Sequence, residues 1–185
     1  PSLYDLHRQK QLPRQFAILG VSRTEMSDQA FREHLKEAAR EFTQNFDENA
    51  WNEFSQFVYY QAGDATKPEK YDSIKGRIAA LQKQYQTCNV IFYLSVSPEL
   101  YEPTVVQLGV QGMVTEGKAW CSLDREHRSW QRIVVEKPFG HDPESAAELN
   151  RVLGRVFEEE SIYRIDHYLG KRSEEHTSEL QSRHN

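Results

Sequence analysis

Short apolar runs alternate along the chain with stretches in which apolar residues recur every three or four positions. Four runs occupy residues 16–21, 57–62, 90–94 and 132–135, and a fifth is placed at 162–164. Short runs of this kind are typical of strands buried on both faces of a sheet, and the three-to-four spacing is typical of helices with one apolar side. The pattern therefore predicts repeated strand–helix–strand units.

The predicted helices have recognisable starts. Ser27 is predicted as an N-cap, Thr66 with Glu69 as a capping box, and Asp142 followed by Pro143 as the cap of the last full helix. The helix after Thr66 has an apolar side with spacings of three and four, formed by Tyr71, Ile74, Ile78, Leu81 and Tyr85. A helix at the start of the chain is predicted to bury Leu3, Leu6 and Leu12 before Pro13 ends it.

This order of elements favours one fold class. Strands that alternate with helices form parallel sheets with right-handed crossovers, so we predict an α/β fold with a Rossmann-like, doubly wound parallel sheet. Ligands of such sheets bind beyond the carboxyl ends of the strands. A long loop is predicted between Gly112 and Trp130. The residues that follow each predicted strand are therefore the first place to look for chemistry.

Composition excludes some classes of function. The 185 residues suit one domain, and the formal net charge of −5, without a basic stripe, argues against a nucleic-acid surface. The longest apolar run, at 90–94, is far below the roughly 20 residues that a membrane span needs, and no apolar leader opens the sequence. We expect a cytoplasmic protein with neither nucleic acid nor membrane as a partner.

The two cysteines point to no special chemistry. Cys88 and Cys121 lack the close spacing of a metal-ligand pair and form no disulfide framework, so both are interpreted as structural and no metal site is predicted.

The densest group of chemical side chains lies at 164–171, where the sequence reads RIDHYLGK. If a strand ends near Arg164 and a helix begins after Asp166, His167 and Lys171 lie four residues apart on one helix face. Together with the unpaired N–H groups of a helix start, that face can bind an anion. The stretch therefore predicts a site for a phosphate and a sugar.

Two other predicted strand ends carry a cation. Arg23 follows the first strand by two residues with no acid beside it, a position where arginine accommodates the 2′-phosphate of NADP. Lys137, in the sequence EKPFG at 136–140, would stand at the mouth of the sheet on a turn stiffened by proline, where it can hold a sugar hydroxyl. From the residues alone, an ordinary surface arginine and a solvated turn lysine remain alternatives.

Taken together, EKPFG and RIDHYLGK resemble the signatures of the glucose 6-phosphate dehydrogenase family, and the resemblance covers about Leu3 to Lys171. It implies a parent enzyme that oxidises glucose 6-phosphate to 6-phosphogluconolactone with NADP, the first step of the pentose phosphate pathway. It also implies a special geometry at the Lys137-Pro138 bond, which we predict to be cis.

The resemblance implies a role for each candidate residue. Arg23, Tyr101 and Lys137 would contact NADP, while substrate contacts would come from Lys137, His167, Tyr168 and Lys171. Asp166 would orient a base histidine that lies outside this chain. For Tyr101, packing in the core remains an equal alternative.

The resemblance also sets expectations for both ends. Residues 1–171 would be part of an NADP-binding domain whose first strand and glycine-rich phosphate turn come earlier, while a later domain would carry the base and the contacts of a homo-oligomer. Residues 172–185 read like a translated sequencing-library adapter and are expected to be a non-native tail without packed contacts, even at Leu180.

Two other functions remain open from the sequence. Another nicotinamide-dependent sugar oxidoreductase, such as a member of the glucose-fructose oxidoreductase group, also has Glu-Lys-Pro after a strand. A non-catalytic module that keeps the fold and binds only a phosphorylated ligand or a protein partner is the second alternative.

Overall fold

The computed structural model describes residues 2–43, 45–114, 129–139 and 142–166. Within them the chain alternates helices and strands as the apolar pattern predicts. The elements are α1 Ser2–Arg8, β1 Ile18–Ser22, α2 Asp28–Phe42, α3 Glu48–Ser55, β2 Val58–Ala62, α4 Tyr71–Tyr85, β3 Val90–Leu94, α5 Tyr101–Val110, β4 Gln131–Glu136, α6 Pro143–Val156 and β5 Ile162–Ile165. Predictions for the loop at 115–128 and for the tail at 172–185 lie outside the described residues.

The chain forms two compact units, Pro1–Cys88 and Asn89–Asn185. In the first unit β1 and β2 pair in parallel, with Gly20 opposite Tyr60. In the second unit β4 lies between β3 and β5, and both pairs are parallel. The predicted parallel pairing is therefore confirmed in each sheet, and the strands of each sheet end at a common edge.

The core of the first unit is built around one tyrosine of α1. Tyr4 is 1% exposed, whereas Leu3, predicted to be buried, is 46% exposed, so the predicted apolar side of this helix is wrong at that position. The Tyr4 hydroxyl donates to the Asp47 carbonyl at 2.9 Å and accepts from the Asp47 N–H at 3.0 Å. A buried tyrosine with both hydrogen bonds made contributes a large apolar surface without an unsatisfied hydroxyl, which explains why it faces inward. The buried residues around it are Ala39, Trp51, Phe54 and Val58.

Helix caps show where local prediction succeeds and fails. The Ser27 hydroxyl accepts from the Ala30 N–H at 3.1 Å, as predicted. The predicted capping box at Thr66 is wrong, because both the N–H and the hydroxyl of Thr66 donate to Asp64, at 3.0 and 2.7 Å. An aspartate that bonds to a residue two positions ahead forms a local turn that competes with helix capping.

Helix α6 begins with a full capping box. The Asp142 carboxylate accepts from the Ser145 N–H at 2.7 Å, and the Ser145 hydroxyl accepts from the Asp142 N–H at 3.1 Å. The predicted cap at Asp142 is confirmed.

The two faces of the second sheet differ. Ile133 and Val135 are fully buried on one face, and on that side Phe92 of β3 lies 6.2 Å, ring to ring, from Phe157 at the end of α6. On the opposite face Tyr93, Val134 and Tyr163 form one row across the three strands, and both tyrosines stay exposed. The row lies one or two residues before the carboxyl ends of the three strands.

Neither a candidate membrane span nor a candidate metal cluster occurs among the described residues. None of the helices there combines the length and the apolar character of a membrane span. No cluster of three or more metal-ligating side chains occurs in the described part of the chain. Cys88 is exposed, so it is not a buried structural residue as expected. Cys121 lies outside the described residues.

Candidate functional site

The first candidate region is the Arg23 turn, residues 22–25, at the carboxyl end of β1. Just before this turn, α2 lies very close to β1, since a Cβ atom at Gly20 would lie only 2.5 Å from the Phe31 ring. The Phe31 ring in turn lies 4.8 Å, centroid to centroid, from the ring of Tyr60. Glycine at position 20 therefore allows α2 to pack directly on the strand that presents Arg23.

A tyrosine of β2 holds the Arg23 turn in place. The Tyr60 side chain is 6% exposed, and its hydroxyl donates to the Thr24 carbonyl at 2.5 Å. The same hydroxyl lies 3.2 Å from the Ser22 carbonyl and 3.1 Å from the Ser22 hydroxyl. The residues on both sides of Arg23 are thus tied to the neighbouring strand.

Arg23 itself is exposed and forms no ion pair with another described residue. It influences Asp64, which follows the end of β2. Hydrogen bonds from the Thr66 hydroxyl and N–H hold the pKa of Asp64 below its usual value, and the positive charges of Arg23 and Lys67 lower it further. The ends of the two strands therefore place two cations and one carboxylate in a single electrostatic neighbourhood.

The turn that carries Asp64 has its own buried support. Tyr71 is 1% exposed, and its hydroxyl donates to the Ala65 carbonyl at 2.7 Å. Desolvation, with a smaller effect of the Asp64 charge, raises the pKa of Tyr71 to about 12, so the phenol stays protonated near neutral pH. It is therefore a permanent donor to this turn.

The second candidate region is the Lys137 turn, residues 136–139, at the carboxyl end of β4. The Lys137-Pro138 bond is cis, as predicted. The Lys137 N–H donates to the Ile165 carbonyl at 3.0 Å, and its ammonium donates to the Asp166 carboxylate at 2.7 Å. The lysine side chain is 50% exposed and the Asp166 side chain 20% exposed. Two predicted site residues from different motifs are therefore in direct contact.

This ion pair was not predicted from the sequence. A signal was available, because β4 and β5 are consecutive parallel strands and their ends must meet at one edge. The register places Glu136 opposite Ile165, so Lys137 and Asp166 are the next residues on each strand.

Two tyrosines hold Glu136, the residue before Lys137. Tyr101 is 3% exposed and its hydroxyl donates to the Glu136 carbonyl at 2.9 Å. The Tyr93 hydroxyl donates to the Glu136 carboxylate. Burial of Tyr101 agrees with the core-packing alternative for this residue, while its hydroxyl still supports the candidate site.

Both tyrosines are protonated at neutral pH. Desolvation of its hydroxyl, followed by the hydrogen bond to Glu136 and the charge of that residue, raises the pKa of Tyr93 to about 12. Desolvation also raises the pKa of Tyr101. Sequence reasoning missed Tyr93, because inside a strand a tyrosine looks like any other apolar residue.

The remaining predicted residues, His167, Tyr168 and Lys171, lie outside the described residues. Arg164, the first residue of the same motif, has a structural role. Its guanidinium donates to the Asn150 side chain of α6 at 2.9 Å and to Glu159 at 2.7 Å. Strand β5, which is followed by Asp166, is therefore tied to the preceding helix.

The described residues fit a dinucleotide phosphate. An exposed guanidinium at a strand end suits a phosphate group, which accepts paired hydrogen bonds from arginine. The Asp64 carboxylate, which would repel that phosphate, already accepts two hydrogen bonds from Thr66. This donor set suits a phosphate group at the end of β1.

Comparison with known proteins identifies what this arrangement resembles. The family described as glucose-6-phosphate dehydrogenase, NAD binding domain, matches residues 1–174. The glucose-6-phosphate 1-dehydrogenase of Aggregatibacter actinomycetemcomitans is 37% identical over 172 residues, which cover 92% of this chain and 33% of that protein. The protein of the same name from Treponema pallidum is 38% identical over 174 residues, covering 92% of this chain and 32% of that protein.

Solved structures give the same result. A solved structure described as glucose-6-phosphate dehydrogenase in complex with its substrate glucose-6-phosphate is 32% identical to this chain, with a TM-score of 0.76. The match covers 92% of this chain and 33% of that chain. One of glucose-6-phosphate 1-dehydrogenase from Mycobacterium avium matches with a TM-score of 0.72 and 30% identity. These matches confirm the predicted Rossmann-like α/β fold, and the chain spans about a third of the length of the relatives it matches.

Proposed function

The chain belongs to the glucose-6-phosphate dehydrogenase NAD-binding-domain family, and from that premise we propose that it binds NADP as part of an enzyme that oxidises glucose 6-phosphate. The reaction removes a proton from the C1 hydroxyl and a hydride from C1, and yields 6-phosphogluconolactone and NADPH. The whole enzyme acts in the cytoplasm, in the first step of the pentose phosphate pathway, as a homo-oligomer. Both alternatives from the sequence receive less support from this family membership.

The observation that carries the proposal is the Lys137–Asp166 ion pair at the ends of adjacent parallel strands. Its ammonium and carboxylate are 2.7 Å apart and partly exposed, so both remain accessible to a ligand. A cation that holds a sugar hydroxyl and a carboxylate that orients an imidazole base are the two groups that abstraction of the C1 hydroxyl proton needs beside it.

Each candidate site residue has a distinct role in this proposal. Arg23 binds the 2′-phosphate of NADP, and Lys137 orients the sugar relative to the nicotinamide, which accepts the hydride when bound. Asp166 fixes the position of a histidine from the rest of the enzyme, so that the imidazole can take the C1 hydroxyl proton. Tyr101 supports the Lys137 turn beside the cofactor.

His167, Tyr168 and Lys171 bind the substrate phosphate in this proposal. An imidazole, a phenol and an ammonium offer directed donors and positive charge to a dianion, which a neighbouring carboxylate would repel unless it faced another group. The phosphate is remote from C1, so these contacts exist both before and during the reaction.

The activity is tested in a chimera in which residues 1–171 replace the matching third of the A. actinomycetemcomitans relative. We expect NADP-dependent oxidation of glucose 6-phosphate. Lys137→Gln should lower kcat/KM at least 100-fold, which is the order of loss expected when a substrate is misplaced by about 1 Å. The control Arg155→Gln removes an exposed cation of α6 and should leave kcat/KM within about twofold. An inactive chimera that is folded, or equal effects of the two variants, would refute the proposal.

The phosphate assignment has its own test in the same chimera. Lys171→Ala should raise the KM for glucose 6-phosphate with little change in kcat, because a remote contact stabilises ground state and transition state alike. Unphosphorylated glucose serves as the control substrate. If the variant weakened the use of glucose and of glucose 6-phosphate equally, Lys171 would not bind the phosphate.

A further inference from the structure

Glu136 is fixed at two of its atoms by tyrosines that flank a single connection. Tyr93 lies near the end of β3 and donates to the Glu136 carboxylate, while Tyr101 begins α5 and donates to the Glu136 carbonyl at 2.9 Å. The residues at the two ends of the β3–α5 connection therefore hold the side chain and the main chain of the last residue of β4.

The sheet register explains how Tyr93 reaches Glu136. Tyr93 pairs with Val134, and Glu136 is two positions further along β4 on the same face. Neighbouring strands lie about 4.8 Å apart and each residue advances a strand by about 3.3 Å, so a long phenol can bridge the diagonal from Tyr93 to Glu136. The hydrogen bond from Tyr93 to Glu136 therefore points toward the carboxyl edge of the sheet, where Lys137 follows β4.

The position of Lys137 depends on this attachment. Lys137 shares a peptide bond with Glu136, its N–H is bonded to the Ile165 carbonyl at 3.0 Å, and its ammonium lies 2.7 Å from Asp166. A shift of Glu136 rotates that peptide and moves the ammonium at the end of a long side chain. Lys137 therefore depends on how firmly Glu136 is held.

We propose that Tyr93 is a positioning residue for Lys137, acting through the Glu136 carboxylate. This inference rests on the proposed function, because it assigns to Tyr93 a part in the same reaction. The pKa of Tyr93, raised to about 12, keeps its proton in place across the neutral range, so that its hydroxyl remains a donor.

Tyr163 provides a matched control. It lies in the same row of the same sheet face, since Val134 pairs with Tyr93 on one side and with Tyr163 on the other. Its ring packs beneath the Arg132 guanidinium at 5.7 Å, a contact that phenylalanine retains, and its hydroxyl has no hydrogen-bond partner among the described residues. Tyr163→Phe thus removes the same atom from the same face without breaking a hydrogen bond.

The first test uses the 185-residue chain and amide hydrogen exchange followed by NMR. In Tyr93→Phe we expect the Lys137 amide to exchange at least fivefold faster, while the amide of Ile133, deeper in β4, keeps its rate. Tyr163→Phe should change neither amide. Equal rates for Lys137 in the two variants would overturn the proposal, and so would a uniform increase along β4, which indicates general destabilisation.

The second test uses the chimera and separates positioning from stability. Tyr93→Phe should lower kcat about tenfold with less than a twofold change in KM, and Tyr163→Phe should lower neither. Glu136→Gln keeps an acceptor for the Tyr93 hydroxyl and should retain most of kcat. Glu136→Ala should lower kcat as much as Tyr93→Phe does. The double variant that combines Tyr93→Phe with Glu136→Ala should have a kcat no lower than either single variant. Additive losses in the double variant would overturn the inference. An inactive parent chimera would refute the proposed function instead, and the exchange experiment would still decide the role of Tyr93.

Discussion

The Arg23 turn and the Lys137 turn are built alike but present their cations differently. Each follows a parallel strand, and in each a buried tyrosine donates its hydroxyl to a main-chain carbonyl: Tyr60 to Thr24 and Tyr101 to Glu136. Arg23 nevertheless stands exposed and forms no ion pair with any described residue, whereas Lys137 is bound to Asp166 at 2.7 Å.

This difference in pairing suits the two cations to different tasks. An exposed guanidinium can bind a phosphate without first releasing a partner, so Arg23 is suited to contribute affinity. The charge of Lys137 is compensated until another group replaces Asp166 or shares it, so this lysine is suited to respond to a substrate or to a base nearby. Variants of the two turns should therefore affect different kinetic constants.

The largest effect is expected at Asp166. In the chimera, Asp166→Asn should lower kcat by roughly 100-fold or more with little change in KM, because removing the carboxylate misdirects the base and leaves Lys137 without its counter-charge. Steady-state kinetics with glucose 6-phosphate measure both constants. Glu160→Gln, which removes an exposed carboxylate near the start of β5, is the control, and an intact kcat in Asp166→Asn would make that residue structural.

Arg23 should affect cofactor choice and not turnover. Arg23→Ala removes charged hydrogen bonds worth about 1.5–3 kcal/mol, so kcat/KM for NADP should fall roughly 10- to 100-fold while that for NAD stays nearly constant. The ratio of the two values in the chimera is the measurement. Arg14→Ala, at an exposed arginine before β1, should leave the ratio unchanged, and a parallel loss for both cofactors would contradict a 2′-phosphate contact.

Much of the fold could be predicted because its signals are local. Strand runs, the three-to-four spacing of α4 and the caps at Ser27 and Asp142 each depend on a few neighbouring residues. The error at Thr66 arose where two local signals competed, since Asp64 uses the donors of Thr66 in a turn of its own. The error at Leu3 came from a helix of only seven residues, too short to define its buried side.

The candidate site was only partly predictable for a different reason. The positions of Arg23 and Lys137 follow from where strands end, which the apolar pattern indicates. Lys137 and Asp166 are 29 residues apart in sequence, and Tyr93 and Glu136 are 43 residues apart. Both contacts therefore depend on the register in which neighbouring strands pair. That register is fixed only when the strands pair with one face buried, so the sequence around either residue does not reveal its partner by itself.

Support of the Arg23 turn by Tyr60 should appear as a moderate loss of stability. Tyr60→Phe removes a buried hydroxyl and leaves the Thr24 carbonyl without its donor, so the free energy of unfolding should fall by about 1–2 kcal/mol. Urea denaturation of the 185-residue chain measures the change. Tyr163→Phe, at an exposed ring, should stay within about 0.5 kcal/mol. A Tyr60→Phe variant as stable as the control would show that the hydroxyl does not hold the turn.

The smallest effect concerns Asp64 and depends on pH. Because its pKa is lowered in the folded chain, ionised Asp64 stabilises the fold fully above its unfolded pKa of about 3.9, and this contribution is lost as pH falls through the folded pKa. Asp64→Asn keeps an acceptor oxygen for Thr66 but removes the charge. The variant should therefore be less stable than the parent at pH 7 by less than the Tyr60→Phe effect, and the difference should shrink as pH falls below about 4.

Urea denaturation of both chains between pH 7 and pH 3 measures that difference, with Glu25→Gln, which removes an exposed carboxylate of the Arg23 turn, as the control. In an Arg23→Ala background the pH-dependent difference should become smaller, because the guanidinium is one of the charges that lower the pKa of Asp64. An unchanged difference in that background would mean that the two strand ends of the first unit do not share an electrostatic environment, and the contrast between an unpaired Arg23 and a paired Lys137 would then rest on the hydrogen-bond geometry alone.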